Sequence, residues 1–505
     1  MIAILLLISE LYSVIQIPRY PSLLELSARP WLYELGKKYH KSITSLSMIP
    51  EAEFQAISQS GYNIVWLMGV WSLGPKGLQH DRTDSGLKRS YDRVLPGWTN
   101  DDVIGSPYAI KDYVINPQLG TPQDLTEFRN RLHKYGIQLY LDLVPNHSAV
   151  DMKNVDAHPE YYVRAPPSDR PPYDPNIYLS NGVAYGKDPY SGAWTDTAQY
   201  NMWEEKMRAQ LITYLRVCSQ YADGVRCDMA MLLLNDVIEQ TWGYQLHAWN
   251  YTQPSAQFWE QATKTLKRLV PGFSFMAEVY WGRENQLLGM GFDWMYDKDG
   301  LYNRLTDGNL DNLRGYIKGT DLSHMTHFTE NHDEERAITN FGSVSRANAA
   351  AVVSMTLPGM RFYFQGQMEG KQNKLDVHLR RSKDEEVKQN VVNFYQKLQK
   401  SLNHTVFHSG DWQYVDPTDV DGSSWRFLSW KWKEGKEKRL CIINYSDGQA
   451  VARFKCPDVY EKAQGDDVKV VDELNGNTYS RSASEMKNEG LYVVLPAWGA
   501  HIFNY

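Results

Sequence analysis

Cysteine is scarce in this chain: Cys218, Cys227, Cys441 and Cys456 are the only four in 505 residues. None forms a CxxC pair or stands at Cys/His zinc spacing, which excludes a zinc site of the ordinary kind. Cys441 and Cys456 both lie in the last hundred residues; they could pair in a secreted protein, and two free buried thiols are the alternative. Positive charge is not in excess. The formal net charge is −7, which argues against nucleic acid or an anionic membrane as the main partner. Long hydrophobic runs are absent too. The longest N-terminal one, Ile2–Ile8, falls well short of the ~20 residues of a span, so no membrane span is expected. Within Met1–Ile17 that run lacks a basic flank and meets Glu10, leaving open whether it is a signal peptide, and with it the compartment. There is no glycine-rich phosphate loop at a first strand–helix turn, which removes the main support for a doubly wound nucleotide-binding sheet.

What is present is a repeated grammar of helix, glycine, short apolar strand and polar residue. Thr121 reads as a helix N-cap followed by Pro122; Leu125, Phe128, Leu132 and Tyr135 mark one face, and Gly136 closes it. The run Ile137–Val144 follows at once, too apolar for a surface strand, and ends in Pro145-Asn146-His147. Eight such runs are expected as strands: Trp31–Leu35, Ile64–Met68, Leu139–Val144, Gly224–Asp228, Phe273–Glu278, Phe292–Tyr296, Met325–Thr329 and Arg361–Phe364. Strands that are apolar throughout fit a parallel sheet covered on both faces. Polar residues gather at their C-terminal ends, where a (β/α)8 barrel carries its active site. The expected fold is therefore α/β, a TIM barrel. A long Pro-, Tyr- and Gly-rich stretch between His147 and Met202 is too long for an idle loop and reads as an inserted subdomain. From about His404 the pattern changes to short strands with Asp447-Gly448 and Asn475-Gly476 turns, which reads as an antiparallel sandwich. The expected layout is an N-terminal segment 1–26, a barrel of 27–147 and 202–403, an insertion 148–201, and a C-terminal sandwich 404–505.

Three carboxylates stand out. Arg226 and Asp228 are two apart on one strand, so they share a face, and a guanidinium beside a carboxylate favours the ionised form that a nucleophile needs. Glu278 ends the next strand after apolar Met276-Ala277, where burial favours a proton donor. Carboxylates on neighbouring strand ends can approach the roughly 5–5.5 Å of retaining glycoside hydrolysis. Asp333 follows a later strand. Any one of them alone would more often be an ion-pair partner.

The segments Asp142-Leu143-Val144-Pro145-Asn146-His147, Gly224-Val225-Arg226-Cys227-Asp228-Met229-Ala230, Ala277-Glu278-Val279 and Phe328-Thr329-Glu330-Asn331-His332-Asp333 resemble, in order, the four signature regions of the α-amylase family, glycoside hydrolase family 13. The resemblance runs from about Trp31 to Tyr505. It implies Asp228 as nucleophile, Glu278 as acid/base, and Asp333 as the residue holding hydroxyls of the distorted sugar. It further implies substrate contacts from Arg226, His147 and His332, a stacking role for Tyr108, and support from Asp142 and Asp112. Trp194, Gln199 and Asn201 would either line a sugar subsite or anchor the insertion, and Asp188 and Asp196 would touch either a metal or only the chain. The implied partner is an α-glucan or malto-oligosaccharide, cleaved by hydrolysis. A glucanotransferase on the same triad is the alternative, and a non-catalytic carbohydrate-binding relative a further one. No cofactor is expected to be required. A structural calcium has only Asn146 as a placed ligand, far from the six to eight oxygens that calcium takes. The chain departs from many relatives where Met231-Leu232 replaces a Lys-His pair, which leaves the leaving-group subsite and endo-action unsupported. The segment Phe364–Gly370 has no assigned role.

Overall fold

A computed structural model describes residues 14–461 and 465–505; the N-terminal run Ile2–Ile8 lies outside the described residues. The helix Pro122–His133 shows how local chemistry sets the elements. Thr121 Oγ1 accepts from the Asp124 N–H at 3.3 Å, and Asp124 Oδ2 accepts from the Thr121 N–H at 2.6 Å. This capping box, with Pro122 at the first turn, fixes where the helix starts. Its face of Leu125, Phe128 and Leu132 is buried against the sheet.

Eight parallel strands close into a barrel: β1 Ser22–Ser27, β2 Ile64–Met68, β3 Gln138–Leu143, β4 Gly224–Cys227, β5 Ser274–Ala277, β6 Trp294–Tyr296, β7 Met325–His327 and β8 Met360–Phe364, with β1 pairing both β2 and β8. Inward residues such as Leu23, Trp66, Tyr140, Met276, Tyr296 and Phe362 fill the interior, so the barrel is a packed core and its open work is done at one end. Gly224 is needed where β3, β4 and β5 meet: a Cβ there would stand 2.5 Å from the Tyr140 ring and 2.8 Å from the Ser274 carbonyl oxygen.

The first strand is a correction. Trp31–Leu35 is not a strand but part of a helix, Ala28–Tyr39, in which Trp31, Leu32 and Leu35 form one buried face. The strand precedes it at Ser22–Ser27, all but its last residue inside the segment expected to lie ahead of the barrel. Glu25 interrupts its apolar pattern, and that carboxylate is what hid it.

Between β3 and β4, His147–Ala149 pairs antiparallel with Thr197–Gln199 and ties off the inserted stretch. The C-terminal region is a sandwich of a six-stranded and a three-stranded antiparallel sheet. Phe427, Leu440, Phe454, Val470, Leu491 and Phe503 pack between the sheets. The outer face of the larger sheet turns toward the barrel: Trp430 Nε1 donates to Thr356 Oγ1 at 3.1 Å and Trp432 Nε1 to the Thr356 carbonyl at 2.7 Å. Cys441 shares that barrel-facing layer, while Cys456 sits in the sandwich core. Both are buried free thiols on opposite sides of one sheet, so the sequence-based pairing is not made. Cys218 and Cys227 are likewise buried and free.

Because Trp432 is buried between Tyr20, Phe407 and the Thr356 carbonyl, Trp432→Ala is expected to cost about 3–5 kcal/mol. Urea unfolding should show one transition shared by barrel and sandwich. Two separated transitions in the wild-type protein would contradict the coupling.

Candidate active site

At the C-terminal end of the barrel a cleft of about 670 Å³ is floored by residues from six strand ends. Arg226, fully buried on β4, lies behind this lining, with the rings of Trp66, Tyr108 and Tyr296 at 5.0, 5.2 and 5.6 Å. Its Nη1 donates to Asp228 at 2.7 Å and its Nη2 to Glu278 at 2.6 Å. Asp142, on β3, stands 3.6 Å from the same Nη1. One cation therefore faces three buried carboxyls. Burial pushes Asp142 up to about 6, partly offset by Arg226. Burial also raises Asp228, with the Glu278 charge adding to the effect and Arg226 opposing it. The expectation that Arg226 simply keeps Asp228 ionised is thereby corrected, because the guanidinium is shared. Glu278 takes two further donors, the Met229 N–H at 2.8 Å and the Tyr280 hydroxyl at 2.7 Å. Met229 reaches it from a left-handed backbone, φ 42°, a strained conformation of the kind that gathers at functional sites.

Asp333 is on the opposite wall, after β7. Its side chain is 43% exposed, so it is reachable from the cleft. Its backbone carbonyl accepts from Lys374. His332 Nε2 lies 3.0 Å from Asp333 and 2.7 Å from the Tyr108 hydroxyl, and His332 Nδ1 lies 2.6 Å from Glu25. Burial alone would lower His332, but Asp333 and Glu25 outweigh it and push it up to about 10. His332 is thus an imidazolium between two carboxylates, and it holds Asp333 well below the usual range against burial. His147 is the opposite case. Burial pushes it down to about 4, leaving a neutral imidazole.

Asp228, Glu278, Asp333, Arg226, His147, His332, Tyr108 and Asp142 thus all converge at this end of the barrel: Asp228, Glu278, Asp333, His147 and Tyr108 line the cleft, and the buried Arg226, His332 and Asp142 stand behind them. Asp112 does not join them; it is exposed on the strand Ile110–Ile115. Trp194 lines the cleft and meets the His147 ring edge-on at 5.3 Å. Gln199 is an anchor: its Nε2 donates to the Asn146 carbonyl and to Asn146 Oδ1, both at 2.9 Å. Asn201 caps a turn by accepting from the Trp203 N–H at 3.1 Å. Asp188 accepts from Tyr190 and Ser191 in an exposed turn, whereas Asp196 lines the cleft. Asn146 Oδ1, the one placed oxygen for a calcium, accepts from Gln199 Nε2. Phe364–Gly370 braces the barrel: Gln367 Nε2 donates to Thr329 Oγ1 and to the Tyr395 hydroxyl, each at 2.9 Å.

Sequence reasoning missed Glu25, Tyr280 and His378. Glu25 had a signal, a lone carboxylate in an apolar run. Tyr280, two residues after Glu278, had only its spacing, and His378 had none.

Two outcomes follow. In Glu25→Gln, the His332 imidazolium loses one of its two anionic neighbours, so its titration, followed by NMR of labelled histidine, should fall from about 10 toward the neutral range; an unmoved titration would contradict the clamp. Asp228 binds its proton more tightly folded than unfolded, so it costs stability as pH rises through its folded pKa. Asp228→Asn should therefore raise Tm, and by more at pH 8 than at pH 5, whereas a lower Tm at pH 8 would make Asp228 a net stabiliser.

The α-amylase catalytic-domain family model matches residues 98–288. α-Amylase 3 of Dictyoglomus thermophilum is 24% identical over 302 residues, 54% of this chain and 56% of that protein. The 1,4-α-glucan branching enzyme GlgB of Aquifex aeolicus is 24% identical over 372 residues, 65% of this chain and 54% of that one. The chain thus spans about half the length of these curated relatives. In fold it is similar to the noncanonic maltogenic α-amylase AmyB of Thermotoga neapolitana, with TM-score 0.69 and 22% identity over 96% of this chain and 99% of the other. An α-amylase of Lactobacillus plantarum gives TM-score 0.68 and 19% identity over 96% and 99%. The matched catalytic-domain model over residues 98–288, the closed barrel and the four strand-end motifs together support the α-amylase family.

Proposed function

We propose that the protein is a retaining glycoside hydrolase that cleaves α-glucosidic bonds of starch- or glycogen-type glucans and malto-oligosaccharides. The observation that carries this reading is the single guanidinium of Arg226 bonded to both Asp228 and Glu278. It keeps two carboxyls from adjacent strands within reach of one anomeric centre, as a covalent double displacement requires.

Catalysis requires a proton on Glu278, facing the glycosidic oxygen, while Asp228 attacks. Asp228 forms a bond to the anomeric carbon as the carbon–oxygen bond breaks, and the Glu278 proton leaves with the departing sugar. A water then gives its proton to Glu278, and its oxygen replaces Asp228 at the same carbon. Positive charge develops on the sugar in both steps. Asp333, Asp228 and the neutral His147 face it without adding a competing cation at His147. The His332 imidazolium is neutralised on both nitrogens, and it positions Asp333 and Tyr108 on the sugar that is transferred.

Transfer to a second sugar in place of water is the alternative, favoured by the branching-enzyme relative, and it uses the same groups. A time course on maltoheptaose and soluble starch separates the two. Hydrolysis yields shorter products with new reducing ends, and Asp228→Asn should lower the rate by roughly three orders of magnitude or more. Products longer than the donor without reducing-end gain would make it a transferase. Equal rates in wild type and Asp228→Asn would refute the mechanism.

A further inference from the structure

We propose that the cleft is blind on the side away from Glu278, so that the protein works from the non-reducing ends of α-glucan chains and not within them. This rests on the hydrolase reading, which fixes the direction. The leaving group lies toward Glu278 and Tyr280, and any sugar preceding the transferred glucose must lie past Tyr108 and Ser106.

On that side stands a helical hairpin, Pro75–Thr83 and Ser85–Val94, inserted between the paired strands Trp71–Leu73 and Ile110–Ile115. It is fastened to three neighbours. Toward the insertion after β3, the His80 ring nitrogen Nε2 lies 2.8 Å from Thr195 Oγ1, and the Lys76 N–H donates to Asp151 at 3.0 Å. Toward the Tyr108 loop, Asp81 accepts from the Ser106 N–H at 3.0 Å. Toward the loop after β8, Ser90 Oγ donates to Asp376 at 3.0 Å, and Asp376 also lies 2.8 Å from His378 Nδ1.

The seam continues beyond the hairpin. The Ile104 N–H donates to the His378 carbonyl at 2.8 Å, Val103 bridges Leu379, and Arg381 clasps Asp102 at 2.7 and 3.0 Å. Behind these bonds Tyr91, Val94, Leu95, Val103 and Leu379 form their own buried apolar cluster. A surface held by hydrogen bonds on three sides and backed by a core is a wall, not a lid.

Inside the wall, Leu87 and Asp84 face the cleft, and Asp196 and His378 are the polar groups set to meet the hydroxyls of a terminal glucose. The other rim differs. Tyr190, 70% exposed, meets Trp281 edge-on at 5.0 Å beside Tyr280, leaving an open aromatic shoulder on which the rest of a chain can lie. Bulk at the non-reducing end should therefore be excluded, and length at the reducing end tolerated.

The test compares maltoheptaose with maltoheptaose whose non-reducing glucose carries a 4,6-O-ethylidene block. Binding to Asp228→Asn is measured by calorimetry and turnover on the wild type. We expect the blocked probe to bind at least about tenfold more weakly and to resist cleavage, and the free one to be shortened from its non-reducing end. Equal binding or equal cleavage of the two probes would overturn the blind cleft. A retained binding difference without turnover of either would support the wall and refute the hydrolase reading. Binding of neither would refute the glucan reading and this inference with it.

Discussion

The structure depends on one buried cation. Arg226 has no exposure, sits among three aromatic rings, and bonds to two carboxylates on neighbouring strand ends. An unpaired guanidinium in such a place would be prohibitive, and so would two unpaired carboxylates. Each therefore requires the others, and the closed barrel is what brings them together. β3, β4 and β5 must lie side by side in parallel for Asp142, Arg226, Asp228 and Glu278 to share one small volume. The cost of packing this much charge is met by the apolar interior below it and by the helices outside.

A second charge system faces the first across the cleft. His332 is held charged by Glu25 and Asp333, so the two walls carry different balances: one cation among three carboxyls on the first, one cation between two carboxylates on the second. His147 stays neutral between them. A sugar entering this space meets groups whose hydrogen-bonding roles are already assigned, which is what preorganisation means for a transition state that gains positive charge.

Much of this was legible in the sequence, and the gaps have physical causes. Strands such as Ile64–Met68 and Gln138–Leu143 are buried on both faces, so they read as unbroken apolar runs, and the polar residues at their ends read as a site. β1 failed that test because Glu25 points into the barrel toward His332. The residue that made the strand functional also made it look unlike a strand. The helix Ala28–Tyr39 filled the vacancy because Trp31–Leu35 is apolar enough to pass for one. The wall of the cleft was illegible for a different reason. His80, Asp81 and Ser90 are ordinary polar residues in sequence, and only the folded contacts to Thr195, Ser106 and Asp376 make them parts of one surface. Tyr280 and Met229 act on Glu278 through a hydroxyl and a backbone N–H, and neither contact has a sequence signature.

The central claim is that Asp228 and Glu278 together carry a double displacement at an α-linked glucose. It is tested most directly by the configuration of the first-formed product. Proton NMR of a maltoheptaose digest in its first minutes should show the α-anomeric signal of the released reducing sugar rising first, with the β signal following only by mutarotation. A β-anomer appearing first would mean a single inverting displacement, and the pairing of Asp228 and Glu278 around Arg226 would then have to serve another chemistry.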